Sequence, residues 1–246
     1  MFHSIKKDSI FIADSHFNEK NQELLTLLEK IANKQLNPSQ LFLMGDIIDF
    51  ISGESKYFIK TNKKVVDLIN LISKDIEVFY LEGNHDYNLQ NIFPNVKVFK
   101  RENQPVNFTF ENKTIAMSHG DIFTPWHYNL YCTIIRNKPL LVFLNLIDFG
   151  NVISKKIESS LLKKNICGVI DDFDSFAKKR VSNYDTDLVV EGHFHQGKTF
   201  KSEKQTYINI PSLCCSKQYV LFDGEFTGVN IWLMKVQLWL FLWLYL

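Results

Sequence analysis

The sequence predicts an α/β (α+β layered) fold in a single domain spanning residues 1–246. Two observations carry this reading. Short apolar runs alternate with stripes of helical period, and five of the runs end directly in motifs rich in Asp and His. The carboxyl ends of strands are where open α/β sheets place their sites. A chain of 246 residues is long enough to bury one sizeable core.

The elements follow in order. Ile10–Ala13 reads as a strand and runs into Asp14-Ser15-His16. Glu23–Ile31 carries Leu24, Leu25, Leu27, Leu28 and Ile31, the stripe of a helix. Leu41–Met44 leads to Gly45-Asp46-Ile47-Ile48-Asp49, and Val65–Ile72 repeats the helical stripe. Val78–Leu81 precedes Gly83-Asn84-His85-Asp86, and Thr114–Met117 precedes Ser118-His119-Gly120-Asp121. Leu188–Val190 precedes Gly192-His193-Phe194-His195. Tyr207–Ile210 and Tyr219–Phe222 are further strands, the second followed by an Asp223-Gly224 hairpin turn.

Residues 126–164 break this rhythm and read as a helical insertion within the domain. Leu140, Leu141, Val142, Phe143, Leu144, Leu146, Ile147 and Phe149 are nearly consecutive. Pro139 marks a helix start and Gly150 a break. Arg136, Lys138, Lys155, Lys156, Lys163 and Lys164 outnumber Asp148 and Glu158. The insertion is either a helical hairpin packed on the core or a lid whose apolar face takes acyl chains. In the second case Arg136, Lys155 and Lys156 are the candidate phosphate-binding residues.

Composition sets the remaining limits. A formal net charge of +1 offers no global attraction to nucleic acid, and none is expected as a partner. Cys132, Cys167, Cys214 and Cys215 show no paired metal spacing and are expected to be free thiols in a reducing compartment. Met1 to Lys7 is short and polar, with no secretory signal, so a cytoplasmic protein is expected. Leu238–Leu246 is uniformly apolar but shorter than the roughly 20 residues of a bilayer span. It reads as a final buried strand or as an interfacial anchor at the inner membrane face.

The five motifs supply carboxylates, imidazoles and one amide from distant segments. That donor set suits two divalent cations held side by side, and a carboxylate shared between them can keep them about 3.5–4 Å apart. Asp46 is the candidate bridge. Asp14, His16 and one histidine of the last motif could complete one metal, with Asn84, His119 and the other histidine completing the second. Nitrogen and oxygen donors without thiolate suit Mn²⁺, placed first, or Fe²⁺, Co²⁺ or Zn²⁺. His85 is expected to meet the substrate as general acid or phosphate donor, with Asp86 orienting it. Asp49 and Asp121 are expected to support the ligands.

In this order the motifs resemble the calcineurin-like metallophosphoesterase superfamily, whose pattern is D-x-H, G-D-x-x-D, G-N-H-D/E, a further His, and G-H-x-H. The match runs from about Ile10 to His195 and fills every motif position. The resemblance implies a β-sandwich flanked by helices. It also implies one metal on Asp14, His16, Asp46 and His195 and a second on Asp46, Asn84, His119 and His193. Phe11-Ile12-Ala13-Asp14-Ser15-His16, Ser118-His119-Gly120-Asp121 and the insertion are similar to the UDP-2,3-diacylglucosamine pyrophosphatases of lipid A synthesis. That family typically has Arg where this chain has His85, and its R-x-N-S-K stretch is not recognisable here. The implied activity is dinuclear metal-dependent phosphohydrolysis of a lipid-linked nucleotide diphosphate. A soluble phosphodiesterase or phosphatase is the alternative enzyme, and a non-catalytic scaffold on the same fold is the competing class.

Overall fold

Alternation along the central strands splits the core into layers. The computed structural model describes residues 3–232, so the apolar segment Leu238–Leu246 lies outside the described residues. In chain order the first elements are β1 (His3–Ser4), β2 (Ser9–Ile12), α1 (Glu23–Ala32), β3 (Gln40–Leu43), β4 (Ile51–Ser52) and α2 (Lys56–Thr61). Then come α3 (Lys63–Ile72), β5 (Glu77–Leu81), β6 (Asp86–Tyr87), β7 (Lys97–Phe99), β8 (Val106–Phe110) and β9 (Lys113–Ser118). Helices α4 (Trp126–Ile135), α5 (Lys138–Ile147), α6 (Val152–Leu161) and α7 (Phe173–Val181) follow. The last elements are β10 (Leu188–Glu191), β11 (Lys198–Lys201), β12 (Thr206–Asn209), α8 (Leu213–Ser216), β13 (Gln218–Phe222) and β14 (Phe226–Asn230).

Two six-stranded sheets form, ordered β14-β13-β2-β3-β5-β7 and β1-β8-β9-β10-β12-β11. Strands β2, β3 and β5 are parallel neighbours, as are β9 and β10. On β2 and β3, Ile10, Ile12, Leu41 and Leu43 face helices α1 and α3. The intervening Phe11 and Phe42 turn the other way, toward Phe108, Ile115, Met117 and Val190 of the second sheet. Helix α7 covers the outer face of that sheet through Phe173, Ala177 and Val181, against Ala116, Val189 and Tyr207. The result is a β-sandwich flanked by helices, as the family resemblance implied.

The high phenylalanine content has a physical reason in this interior. Phe11, Phe42 and Phe79 sit in register on adjacent strands. Their rings stack at 4.2 and 4.7 Å, and Phe108 meets Phe42 and Phe79 edge-on from the facing sheet. Burying each ring contributes about 1.5–3 kcal/mol, and aromatic pairing adds to that.

The insertion is three helices. Asn137 caps α5 by accepting from the Leu140 amide, with Pro139 in its first turn, and Gly150 breaks the chain with a positive φ of 66°. Contacts with the body hold it over one end of the sandwich: Tyr57 Oη donates to Glu158 Oε2 at 2.8 Å, and the Lys56 amide donates to Asn145 Oδ1 at 3.2 Å. Its outer face leaves Trp126, Leu146, Phe149 and Val152 in solvent. Among the described residues no single helix is long and apolar enough to cross a membrane. Helices α4 and α5 together meet that test of length and composition, as a pair bent by 49°.

Candidate metal centre and adjoining cavity

Each of the five polar motifs leaves the carboxyl end of a parallel strand: Asp14 and His16 after β2, Asp46 after β3, Asn84 and His85 after β5, His119 after β9, His193 and His195 after β10. The two sheets thus deliver the residues to one place from opposite sides. Asp14, His16, Asp46, His193 and His195 all adopt positive φ, between 39° and 62°. Non-glycine residues pay for that conformation, and it is held where a side chain must be aimed. Glycines next to the motifs leave the room this requires. A Cβ on Gly83 would overlap Asp46 Oδ1, and one on Gly45, at φ 88°, would overlap the ring of His119.

The donor atoms fall into overlapping groups. Asp14, His16 and His195 form one, Asp46, His119 and His193 another, and His16, Asp46 and His85 a third. Asp46 Oδ2 lies 3.8 Å from His16 Nε2 and 3.6 Å from His119 Nε2, so its carboxylate stands between the first two groups. His119 Nε2 is 3.3 Å from Asn84 Oδ1 and 3.2 Å from His193 Nδ1. His195 Nε2 is 3.2 Å from Asp14 Oδ1. All seven residues expected as ligands are therefore brought together.

Whether these residues suit cations can be read from their hydrogen bonds. His119 Nδ1 is 2.9 Å from the Met44 carbonyl and His195 Nδ1 is 2.8 Å from the Ile166 carbonyl. A carbonyl only accepts, so each Nδ1 carries a proton and Nε2 is the atom turned toward the cluster, where it offers a lone pair once it is bare. Those lone pairs face oxygens that are also acceptors, and Asp14 Oδ1 is buried with no hydrogen-bond partner. Acceptors crowded against acceptors are costly unless a proton or a cation sits among them. The donor set fits divalent metals.

Charge within the cluster is tightly coupled. Burial alone would raise the Asp46 carboxyl, but the imidazoles of His119, His85 and His16 bring it well below the usual carboxylate range. Burial would lower His119, yet Asp46 and Asp14 hold its imidazole well above the ordinary value. His16 is raised in the same way by Asp49, Asp46 and Asp14. His193 is pushed down to about 4, by burial first and then by His119.

Asp86 is not the orienting partner of His85 that the sequence suggests. Its buried carboxylate accepts from the Ile47 and Gly83 amides and from Tyr80 Oη, each at 2.7 Å. It ties the Asp46 loop to the Asn84 loop, and burial together with the Asp46 charge pushes its carboxyl up. His85 is instead held through Nδ1 by the main-chain oxygen of Asp49, at 2.6 Å. Asp49 stands beside an expected ligand, whereas Asp121 is held by an arginine outside the cluster. Asp49 Oδ1 is 3.4 Å from His16 Nδ1, and Asp121 pairs with Arg101 Nε at 2.7 Å.

An apolar cavity of about 270 Å³ adjoins the cluster. Asn84 and His85 stand at its polar end, while Phe50, Ile134, Leu141, Leu144, Ile157 and Leu161 make much of the wall. Most of this wall comes from the insertion. The basic residues singled out there need correction. Arg136 pairs with the buried Glu82 at 2.9 Å and lies over the Tyr87 ring, bracing the base of the insertion. Lys155 and Lys156 are exposed on α6 and do not line the cavity. Lys164 does line it, and no periodic signal marked it apart from its neighbours.

The four cysteines are not all free thiols, contrary to the expectation from their spacing. Cys167 and Cys215 form a disulfide, while Cys132 and Cys214 are free and buried. The pair is 48 residues apart, and only the path of the chain after α6 across α8 brings the two sulfurs together.

A sandwich with these clustered donors defines a hydrolase of phosphoric-ester bonds. The chain matches the calcineurin-like phosphoesterase family over residues 9–197 and belongs to that family. It is 23% identical over 199 residues to the UDP-2,3-diacylglucosamine hydrolase of Histophilus somni, covering 77% of this chain and 85% of that protein. It is 24% identical over 211 residues to the enzyme of the same name from Haemophilus influenzae, covering 82% and 89%. Among solved structures, the phosphoesterase Yfce from E. coli is similar over 91% of this chain and 92% of that one, at 14% identity and a TM-score of 0.47.

Proposed function

We propose that this enzyme is a dinuclear metallohydrolase that cleaves the diphosphate of a lipid-linked nucleotide such as UDP-2,3-diacylglucosamine. The observation that carries the reading is the apolar cavity with Asn84 and His85 at one end. Acyl chains would fill its aliphatic wall and so place a diphosphate beside the donor cluster. Two distant relatives carrying that substrate in their names support the same choice.

In this reading Asp14, His16, Asp46 and His195 hold one cation, and Asp46, Asn84, His119 and His193 hold the other. Mn²⁺ is the first choice, and Fe²⁺, Co²⁺ and Zn²⁺ suit the same donors. Bound cations supply Lewis-acid polarisation of the phosphoryl group and acidify attacking water. The protein supplies the rest. His85, its Nδ1 proton fixed on the Asp49 carbonyl, presents Nε2 to the substrate and, as the imidazolium with a second proton on Nε2, can give that proton to the departing oxygen and be left neutral. The insertion walls the acyl chains from water, and Lys164 at the cavity edge meets negative charge. The exposed apolar side chains of α4 and α5 suit peripheral contact with a membrane, where such a substrate resides.

Burying acyl chain is worth about 0.8 kcal/mol per methylene, so four buried methylenes already give roughly a hundredfold in affinity. The test compares kcat/KM for UDP-2,3-diacylglucosamine, UDP-N-acetylglucosamine and bis(p-nitrophenyl) phosphate. An advantage of about a hundredfold or more for the acylated substrate is expected. Equal values would refute the lipid reading and leave a general phosphodiesterase.

A further inference from the structure

The chain leaving α6 runs past the donor cluster without regular structure. Within it the carbonyl of Ile166 accepts from His195 Nδ1 at 2.8 Å, and this bond fixes which nitrogen His195 turns toward Asp14. The next residue, Cys167, is exposed and is disulfide-bonded to Cys215 of α8. Cys215 Sγ itself lies 3.6 Å from His195 Nδ1. Helix α8 is anchored on the first motif. Ser212 Oγ donates to the Asp14 carbonyl at 2.8 Å, and the Leu213 amide donates to the Ala13 carbonyl at 3.0 Å. The covalent bond thus joins the carbonyl that orients His195 to an element fixed on Asp14. Gln196 holds only the following residues, through Gly168 and Ile170.

We propose that the Cys167–Cys215 disulfide is a thiol-sensitive clamp that positions His195. Closed, it holds Ile166 against the imidazole; opened, it frees that carbonyl to leave and the ring to turn. The opening reagent is a dithiol. One of its thiolates attacks a disulfide sulfur and expels a cysteine thiolate, leaving a mixed disulfide. Its second thiolate then displaces the other cysteine. Two cysteine thiols result, and the dithiol becomes a disulfide. Cys167, being exposed, gives the reagent access. The inference rests on His195 being a metal ligand, as proposed above.

The test uses the full chain purified without reductant. Alkylation under denaturing conditions should label two cysteines before dithiol treatment and four after it. Co²⁺ is then titrated by its absorption into metal-free samples of four kinds: oxidised, reduced with the dithiol removed under argon, Cys167→Ser, and Cys132→Ser. Reduction and Cys167→Ser should each weaken Co²⁺ binding at the site that contains His195 about tenfold or more, the usual loss when a partner of a metal ligand goes, while Cys132→Ser changes nothing. Unchanged circular dichroism would show that the fold survives. Four cysteines labelled at the outset, or equal affinity in oxidised, reduced and Cys167→Ser protein, would overturn the clamp. His195→Ala separates the two claims. If it loses metal while Cys167→Ser does not, the clamp alone fails. If it keeps full metal, the ligand assignment fails and the clamp with it.

Discussion

His85 and Asp49 are joined by a 2.6 Å contact between the imidazole Nδ1 and the main-chain oxygen, although 36 residues separate them. The main chain of His85 is fixed as well, since its amide donates to Asp46 Oδ1 at 2.8 Å. Nε2 is therefore the nitrogen that the main chain leaves open, and His85 is among the residues that line the cavity. The same kind of bond holds His119 and His195, and His85 lies in one cluster with His16 and Asp46, so the bond alone does not separate a ligand from an acid–base group. The seven residues proposed as ligands already supply both metals, which leaves His85 for proton transfer.

His85→Ala should accordingly keep its metal and lose roughly 10²–10⁴ in kcat, the range for an acid–base group. Metal content by elemental analysis, alongside kcat on a diester with a poor leaving group, decides this. Loss of a metal equivalent with the ring would make His85 a ligand.

Arg136→Ala should damage the fold near the insertion and leave phosphate binding largely alone. Glu82 is almost wholly buried, and removing its partner leaves an uncompensated charge. Breaking such a pair costs about 3–5 kcal/mol. A marked drop in Tm with little change in KM for bis(p-nitrophenyl) phosphate is the expected pattern. A large rise in KM at unchanged Tm would restore Arg136 to substrate binding.

Metal uptake should release protons at pH 7. His119 and His16 have raised folded values, so each keeps its proton at pH values where a free histidine has lost it. A ligating nitrogen must be bare, so the cation expels that proton and affinity falls as pH falls. Calorimetric titration with Mn²⁺ in two buffers of different ionisation enthalpy should report about one proton or more per chain. Identical apparent enthalpies in both buffers would contradict this.

The layered fold was legible because apolar alternation and polar strand ends leave a direct trace in sequence. Ile10 and Phe11 take opposite faces of β2 because side chains on a strand alternate. The donors were legible because they lie in short motifs at strand ends. Their supports were not. Asp86 looks like a partner of His85 when read along the chain, but it turns inward to Tyr80 and two amides. Arg136 stands among apolar residues, yet its charge is used on Glu82, 54 residues earlier. Pairings of this kind depend on where folded segments meet, as the Cys167–Cys215 bond does, and local spacing carries no record of them.

The central claim is that one carboxylate, Asp46, organises two metals. Its Oδ2 stands within 4 Å of imidazoles from both donor groups, and no other described carboxylate does so in these ion-pair distances. The most direct measurement is metal per chain, by elemental analysis of protein purified without chelator, for the native enzyme and Asp46→Ala. Two equivalents in the native enzyme are expected, with fewer than one and no diester hydrolysis in the variant. A single equivalent in fully active native enzyme, or full activity in Asp46→Ala, would contradict it.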